Sequence, residues 1–177
     1  RCHLGYTRFM NINTLYIDLD DTVYPASAGV WQEIRKRIDS YICQRFQLPL
    51  EQAVILRDDL FHQYGTTMRG LQVVYHLDEE DYLQYVHDVP LKNYIPANPG
   101  LGALLAKLPY RKVILTNADT LHARRVLGLL GIENCFEQII DIRALAPYCK
   151  PMPQAFEIAL QLMGERAEDC AVIEDST

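Results

Sequence analysis

"LYIDLDDTVYP", residues 15–25, sets a short apolar run against three carboxylates, Asp18, Asp20 and Asp21, and then a threonine and a proline. The run begins earlier, at "NTLYIDL", and reads as a buried strand: apolar, with β-branched and aromatic residues, bounded by Asn and Asp. Like charges this close repel one another, so the acid at the strand's end needs a reason. Side chains alternate along an extended segment, which puts Asp18 and Asp20 on one side and Asp21 on the other.

The pattern downstream of this strand is helical. Val30, Ile34, Ile38 and Ile42 recur every four residues and mark one face of a helix over 29–46. A second helix follows Pro49 and stops at Gly65, and a third covers 68–76. Asp78 caps a fourth, "EEDYLQYVH", with acid in the first turn where the helix dipole favours it. The three-proline stretch "DVPLKNYIPANPG" then reads as a linker. Beyond it the pattern alternates. "LGALLAKL" is helical and "RKVILT" a strand. A helix capped by Asp119 and stopped by Gly131 follows, then the strand "FEQIIDI", the helix "PQAFEIALQLM" and the strand "CAVIED". Such alternation predicts an α/β fold with a doubly wound parallel sheet. A four-helix block, 24–95, interrupts it just after the first strand.

The whole chain bounds what this fold serves. Its 177 residues suffice for one sizeable domain, or a core with a smaller insertion. A net charge of -6 argues against a nucleic-acid polymer as partner, because that surface is normally basic. No apolar run approaches the roughly 20 residues of a transmembrane helix, so no membrane partner is expected. The first residues, "RCHLGYTRFM", lack the apolar centre of a secretory signal. Five scattered cysteines, Cys2, Cys43, Cys135, Cys149 and Cys170, form no CxxC pair and read as reduced thiols of a cytoplasmic protein. The start at Arg1 and the stop at Thr177 read as cut ends, with the C-terminal end of the core truncated.

Ligands of open α/β sheets bind outside the carboxyl ends of the strands. Four features of this sequence sit at such ends or beside them. Asp18, Asp20 and Thr22 follow the first strand, and Thr116 and Asn117 the second. Lys150 precedes a Pro-flanked helix, and Glu174 and Asp175 end the last strand. Each alone has an ordinary reading: a turn with solvated acids, a helix N-cap, a surface lysine, a polar strand end. If the strands are parallel and adjacent, all four converge. Asp18, Asp20, Glu174 and Asp175 cannot all stay ionised together without a cation. Hard oxygen ligands with open positions suit Mg²⁺, which binds through a few carboxylates, waters and a substrate phosphate. Lys150 adds positive charge, and the Thr116 hydroxyl and Asn117 amide can donate to phosphate oxygens.

In this order, "DLDDT", "TN", "KP" and "EDS" resemble the four motifs of the haloacid dehalogenase-like hydrolase superfamily. The resemblance implies Asp18 as nucleophile and Asp20 as general acid/base, contributing its backbone carbonyl to the metal as well. It implies Thr116, Asn117 and Lys150 on the phosphate, and Asp175 with Glu174 completing the Mg²⁺ site. The helical block looks like the family's cap, dividing the chain into a core of 1–23 and 97–177 and a cap of 24–96. "DLDDTVYP", "YGTTMRGL", "VHDVP" and "TNADTLHARRVLGLLGI" together look like the pyrimidine 5'-nucleotidase group. A helix and at least one further strand follow the fourth motif in the family and are absent from this sequence.

The expected reaction is therefore Mg²⁺-dependent hydrolysis of a small phosphorylated substrate, a nucleoside 5'-monophosphate, through an aspartyl-phosphate on Asp18. The competing readings are phosphoglycolate or sugar-phosphate hydrolysis, a dehalogenase attacking carbon, and a truncated module that only binds a phosphometabolite. A dehalogenase needs neither leaving-group acid nor magnesium, against which Asp20 and the full acidic set argue. In the block, Tyr64 is a candidate to stack on a base and Arg69 to donate to a pyrimidine carbonyl. The alternative is that Tyr64 packs internally and Arg69 pairs with Asp58 or Asp59. Thr22 either positions the Asp20 loop or caps a turn. His62, His76, His87 and His122 share no ligand spacing and read as partly exposed helix residues. Trp31, Tyr82 and Tyr85 read as packing between cap and core, and Arg124–Arg125 as a solvated helix face.

Overall fold

The structure, a computed structural model, describes residues 12–175. Cys2, the opening segment and the last two residues lie outside the described residues. In chain order the elements are β1 (Thr14–Ile17), α1 (Val30–Phe46), α2 (Leu50–Tyr64), α3 (Thr67–Tyr75) and α4 (Glu79–Val86). They continue with α5 (Pro99–Lys107), β2 (Arg111–Leu115), α6 (Thr120–Leu130), β3 (Gln138–Ile140), α7 (Pro153–Met163) and β4 (Cys170–Ile173).

The four strands form one sheet in the order β3-β2-β1-β4, every pairing parallel. β1 lies inside the sheet and all four of its residues are buried, which is why its sequence runs apolar without alternating polarity. The two faces still differ. Leu15 and Ile17 join the core that includes Ile114 and the α6 residues Ala123, Val126 and Leu127. Tyr16 joins Val113, Leu115 and Ile140 over α7 residues Ala155 and Ala159. Helices thus cover both faces, the doubly wound arrangement. β4 is an edge strand, with Val172 and Ile173 exposed.

The helix boundaries follow the expected signals within a residue or two. Thr66, Asp78 and Asp119 each cap a helix, accepting from the backbone N–H of Arg69, Asp81 and His122. Gly65 and Gly131 end α2 and α6 in the left-handed region. All four strands are shorter than the sequence suggests, β1 and β3 the most. β1 stops at Ile17 because a turn takes over, with Asp21 at φ 61°. β3 spans three residues rather than 136–142 because the Asp141 side chain leaves the sheet. That carboxylate accepts from Thr120 and from the backbone N–H groups of Arg143 and Ala144.

Helices α1 to α4 pack against one another: α1 on α2 and α4, and α3 on α2 and α4. Val30, Ile34, Ile38 and Ile42 are all buried, as their spacing of four predicts. α2 and α3 approach so closely that a Cβ on Gly70 would lie 2.7 Å from Leu60 Cβ. The turn between them also touches the sheet-bearing part of the chain: a Cβ on Gly65 would meet Cys149 Sγ at 2.8 Å. Among the described residues no helix is long and apolar enough to cross a membrane.

Candidate active site

Register decides which residues meet. Ile17 pairs with Ile114 on one side and Ile173 on the other. The chain therefore leaves the three neighbouring strands at one edge, delivering Asp18, Thr116 and Glu174 together. The backbone N–H of Asp18 donates to Ile173 O at 2.9 Å, and that of Thr116 to Ile140 O at 3.0 Å. Lys150 arrives from the loop before α7. The Asn117 side chain clasps its main chain at both ends, donating to Lys150 O and accepting from Lys150 N, each at 2.9 Å. The buried ammonium then donates to Asp18 Oδ1 and Glu174 Oε1, both at 2.5 Å. Thr22 donates to the other Asp18 oxygen at 3.1 Å, so its hydroxyl serves Asp18 rather than the Asp20 loop.

All of the expected core residues line one cavity of about 700 Å³: Asp18, Asp20, Thr116, Asn117, Lys150, Glu174 and Asp175. Asp21 lines it as well. Strict alternation fails there because the left-handed turn at Asp21 redirects the side chain. Asn117 differs from expectation in kind, since its amide is engaged with the Lys150 backbone and acts by holding that loop. The buried Thr116 hydroxyl accepts from Ala118 N at 3.0 Å and keeps its own proton to donate.

Asp18, Glu174 and Asp175 each bring a carboxylate oxygen within 4.8 Å of the others. Burial pushes the Asp18 carboxyl up, against the opposing pull of Lys150, and Asp20 adds to the rise. Glu174 is raised by burial too, with Lys150 opposing and Asp18 and Asp175 adding repulsion. One ammonium does not balance this much acid. Clustered hard oxygens with surplus negative charge fit a small divalent cation, which would stabilise all three in their charged form.

The cavity's remaining walls come from the helical block, including Trp31, Arg35, Phe61 and His62, with Thr66 and Met68 from the "YGTTMRGL" stretch. Tyr64 and Arg69 are not among its lining residues. Arg69 is buried, paired with Glu79 at 3.3 Å and hydrogen-bonded to Gln72 at 2.8 Å. It also donates to the carbonyls of Ile142 and Tyr148. These contacts tie α3 to the loop after β3, so the guanidinium is a structural clamp. Its acid partner is Glu79 rather than Asp58 or Asp59; Asp58 pairs with Arg57 and Arg35 instead. Tyr82 and Tyr85 pack on Tyr41 inside the block, while Trp31 is partly exposed at the cavity. Arg125 is not simply solvated: it donates to the carbonyls of His87 and Val89.

The sequence missed three residues, Tyr24, His87 and His122. His87 and His122 are buried, not partly exposed. His122 Nε2 lies 2.9 Å from Asp20 Oδ1, and Tyr24 donates to the same oxygen at 2.5 Å. The His87 ring stacks on His122 with centroids 4.4 Å apart, and its Nδ1 lies 2.6 Å from Asp119 Oδ2. Burial drives Asp20 upward, yet His122, Tyr24 and His87 outweigh it and hold the carboxyl below its usual value. Burial lowers the His87 pKa against the pull of Asp119, whose carboxylate oxygen can only accept from Nδ1. A placement signal for His122 existed. It sits three residues past an Asp N-cap, on the first turn of the helix that leaves the strand end.

A family model, the haloacid dehalogenase-like hydrolase, matches residues 12–177. The chain belongs to that family. Haloacid dehalogenase-like structures carry the same fold at low identity. The HAD-hydrolase YfnB of Bacillus subtilis, solved bound to magnesium, superposes with a TM-score of 0.55 at 19% identity, covering 94% of this chain and 79% of that one. A haloacid dehalogenase-like protein from Streptococcus pneumoniae gives 0.56 at 20%, covering 94% and 77%. Among curated proteins, Phosphate metabolism protein 8 of Saccharomyces cerevisiae is 27% identical over 160 residues, 81% of this chain and 49% of that protein. The chain spans about half the length of that curated relative.

Proposed function

We propose that this chain hydrolyses nucleoside 5'-monophosphates, pyrimidine ones by preference, through a phosphoryl group carried on Asp18. The observation that carries the reading is the placement of Asp18. Its carboxylate sits at the strand end on the cavity floor, held by Lys150 at 2.5 Å and Thr22 at 3.1 Å. A carboxylate fixed in this way can attack phosphorus in line with the leaving oxygen. Lys150 and the Thr116 hydroxyl stabilise charge on the transferring group, where most of the catalysis lies. Asp18, Glu174, Asp175 and the Asp20 carbonyl would hold Mg²⁺, which supplies charge neutralisation for the phosphoryl oxygens.

Asp20 protonates the leaving ribose oxygen and then takes a proton from the water that releases phosphate. Its neighbours favour the ionised form, whereas a phosphate anion beside it works in the opposite sense and raises its pKa. The helical block, 24–96, acts as a cap that excludes water over the cavity. A cavity of about 700 Å³ with Trp31 and Phe61 on its block-side wall suits a nucleoside better than a two-carbon acid. Such chemistry belongs in the cytoplasm, where nucleotides are.

The test is phosphate release from a panel of nucleoside monophosphates, phosphoglycolate, sugar phosphates and p-nitrophenyl phosphate, with and without Mg²⁺. Highest kcat/KM on uridine or cytidine monophosphate supports the reading. Preference for phosphoglycolate or a sugar phosphate overturns the substrate, and no release from any ester overturns the reaction.

A further inference from the structure

We propose that His122, together with Tyr24, is a positioning residue that fixes Asp20 by one oxygen and so dedicates the other to the leaving-group proton. This rests on the role given to Asp20 under Proposed function. Both hydrogen bonds to the Asp20 carboxylate fall on Oδ1, from Tyr24 at 2.5 Å and from His122 Nε2 at 2.9 Å. A carboxylate is an acceptor only, so the proton of that contact belongs to Nε2. Oδ2 is then the oxygen left to face the cavity that Asp20 lines.

Packing alone does not account for His122. It is 1% exposed, and its Nδ1 has no hydrogen-bond partner among the described residues. Burying an imidazole with one nitrogen unsatisfied is costly, and an apolar residue would fill the same space without that cost. The ring is also held from a second direction. Asp119 Oδ1 accepts from His122 N at 2.8 Å, and Asp119 Oδ2 binds His87 Nδ1 at 2.6 Å. The His87 ring then lies 4.4 Å from His122 at an interplanar angle of 24°. Asp119, His87 and His122 thus close a small loop of contacts that orients the Nε2 donor. His87 follows α4 at the end of the helical block, so the block's last turn takes part in aiming the acid.

In the step concerned, the bond from phosphorus to the ester oxygen breaks and its electron pair leaves with that oxygen. The oxygen takes a proton from Asp20 Oδ2, and the attacking water later returns one. An alkyl leaving group such as ribose depends on that proton. p-Nitrophenolate, a far better leaving group, hardly does.

The experiment compares kcat/KM for uridine monophosphate and p-nitrophenyl phosphate in the wild-type protein and in His122→Asn, His122→Gln and Tyr24→Phe, with thermal melting of each. Asn cannot present a donor where Nε2 stands, whereas Gln can. His122→Asn is expected to lose roughly tenfold or more on the nucleotide and at most about threefold on the aryl ester. His122→Gln is expected to recover most of the loss. If His122→Asn does not fold, Tyr24→Phe carries the test, since it removes one hydroxyl and shows the same selective loss. Equal losses on both esters, or Gln no better than Asn, overturn the inference while leaving the phosphatase reading intact. A wild-type protein inactive on both esters overturns both.

Discussion

Arg69→Ala separates a clamp from a base-recognition residue. The guanidinium is buried, and truncation removes its contacts to Glu79, Gln72 and the carbonyls of Ile142 and Tyr148. Removing one partner of a buried ion pair costs about 3–5 kcal/mol, and a charged hydrogen bond contributes about 1.5–3 kcal/mol. The Glu79 side chain is 24% exposed and keeps Arg143 at 3.2 Å and Gln72 at 2.8 Å, so the lower end applies, about 3 kcal/mol. For a protein of this size each kcal/mol moves the melting midpoint by about 2–4 °C, which gives a fall of about 6–12 °C. Thermal melting by circular dichroism reads that fall. Steady-state kinetics below the melt read the second half of the prediction: kcat/KM for uridine monophosphate and for p-nitrophenyl phosphate change by the same factor. An unchanged midpoint with a tenfold loss confined to the nucleotide would refute the clamp and restore Arg69 to the substrate.

Other outcomes follow from the same geometry. Asp18→Asn abolishes phosphate release and leaves the far-ultraviolet spectrum unchanged; undiminished release would remove Asp18 from the chemistry. Activity requires Mg²⁺, disappears in excess chelator, and falls with Ca²⁺, whose longer and looser coordination spoils in-line attack. Full turnover in chelator would leave the three clustered carboxylates without that role. Asp119 is pushed up by burial, but its bond to His87 and the His122 N–H prevail and hold it at about 2, below its ordinary 3.8. A depressed folded-state pKa stabilises above the unfolded value and loses that contribution as pH falls. The stability difference between wild type and Asp119→Asn, on the order of 2 kcal/mol at neutral pH, therefore shrinks as pH drops from about 4 to about 2. Urea midpoints at several pH values check it, and a constant difference contradicts it.

Much of the fold was legible because its signals are local. The run from Thr14 to Ile17 is uniformly buried because its strand sits inside a sheet covered on both faces. Helix caps and stops such as Asp119 and Gly131 act within one turn of their own position. The convergence of Asp18, Thr116, Lys150 and Glu174 was also readable, since parallel neighbouring strands leave only one edge for their ends. Long-range pairing was not. His87 and His122 are 35 positions apart by number, and their stacking depends on how α4 and α6 meet. Arg69 looked free to reach a ligand because nothing near it in sequence announces the carbonyls of Ile142 and Tyr148. Asn117 looked like a phosphate donor for the same reason, its partner being the Lys150 backbone across a loop.

The central claim is a phosphoryl group carried covalently on Asp18. Acid quenching during turnover of uridine monophosphate, followed by peptide mass spectrometry, tests it most directly. The account predicts one phosphoryl adduct on the peptide containing Asp18, removed by hydroxylamine and missing in Asp18→Asn. Steady turnover with no adduct on that peptide, or with the phosphoryl group on another residue, would contradict it.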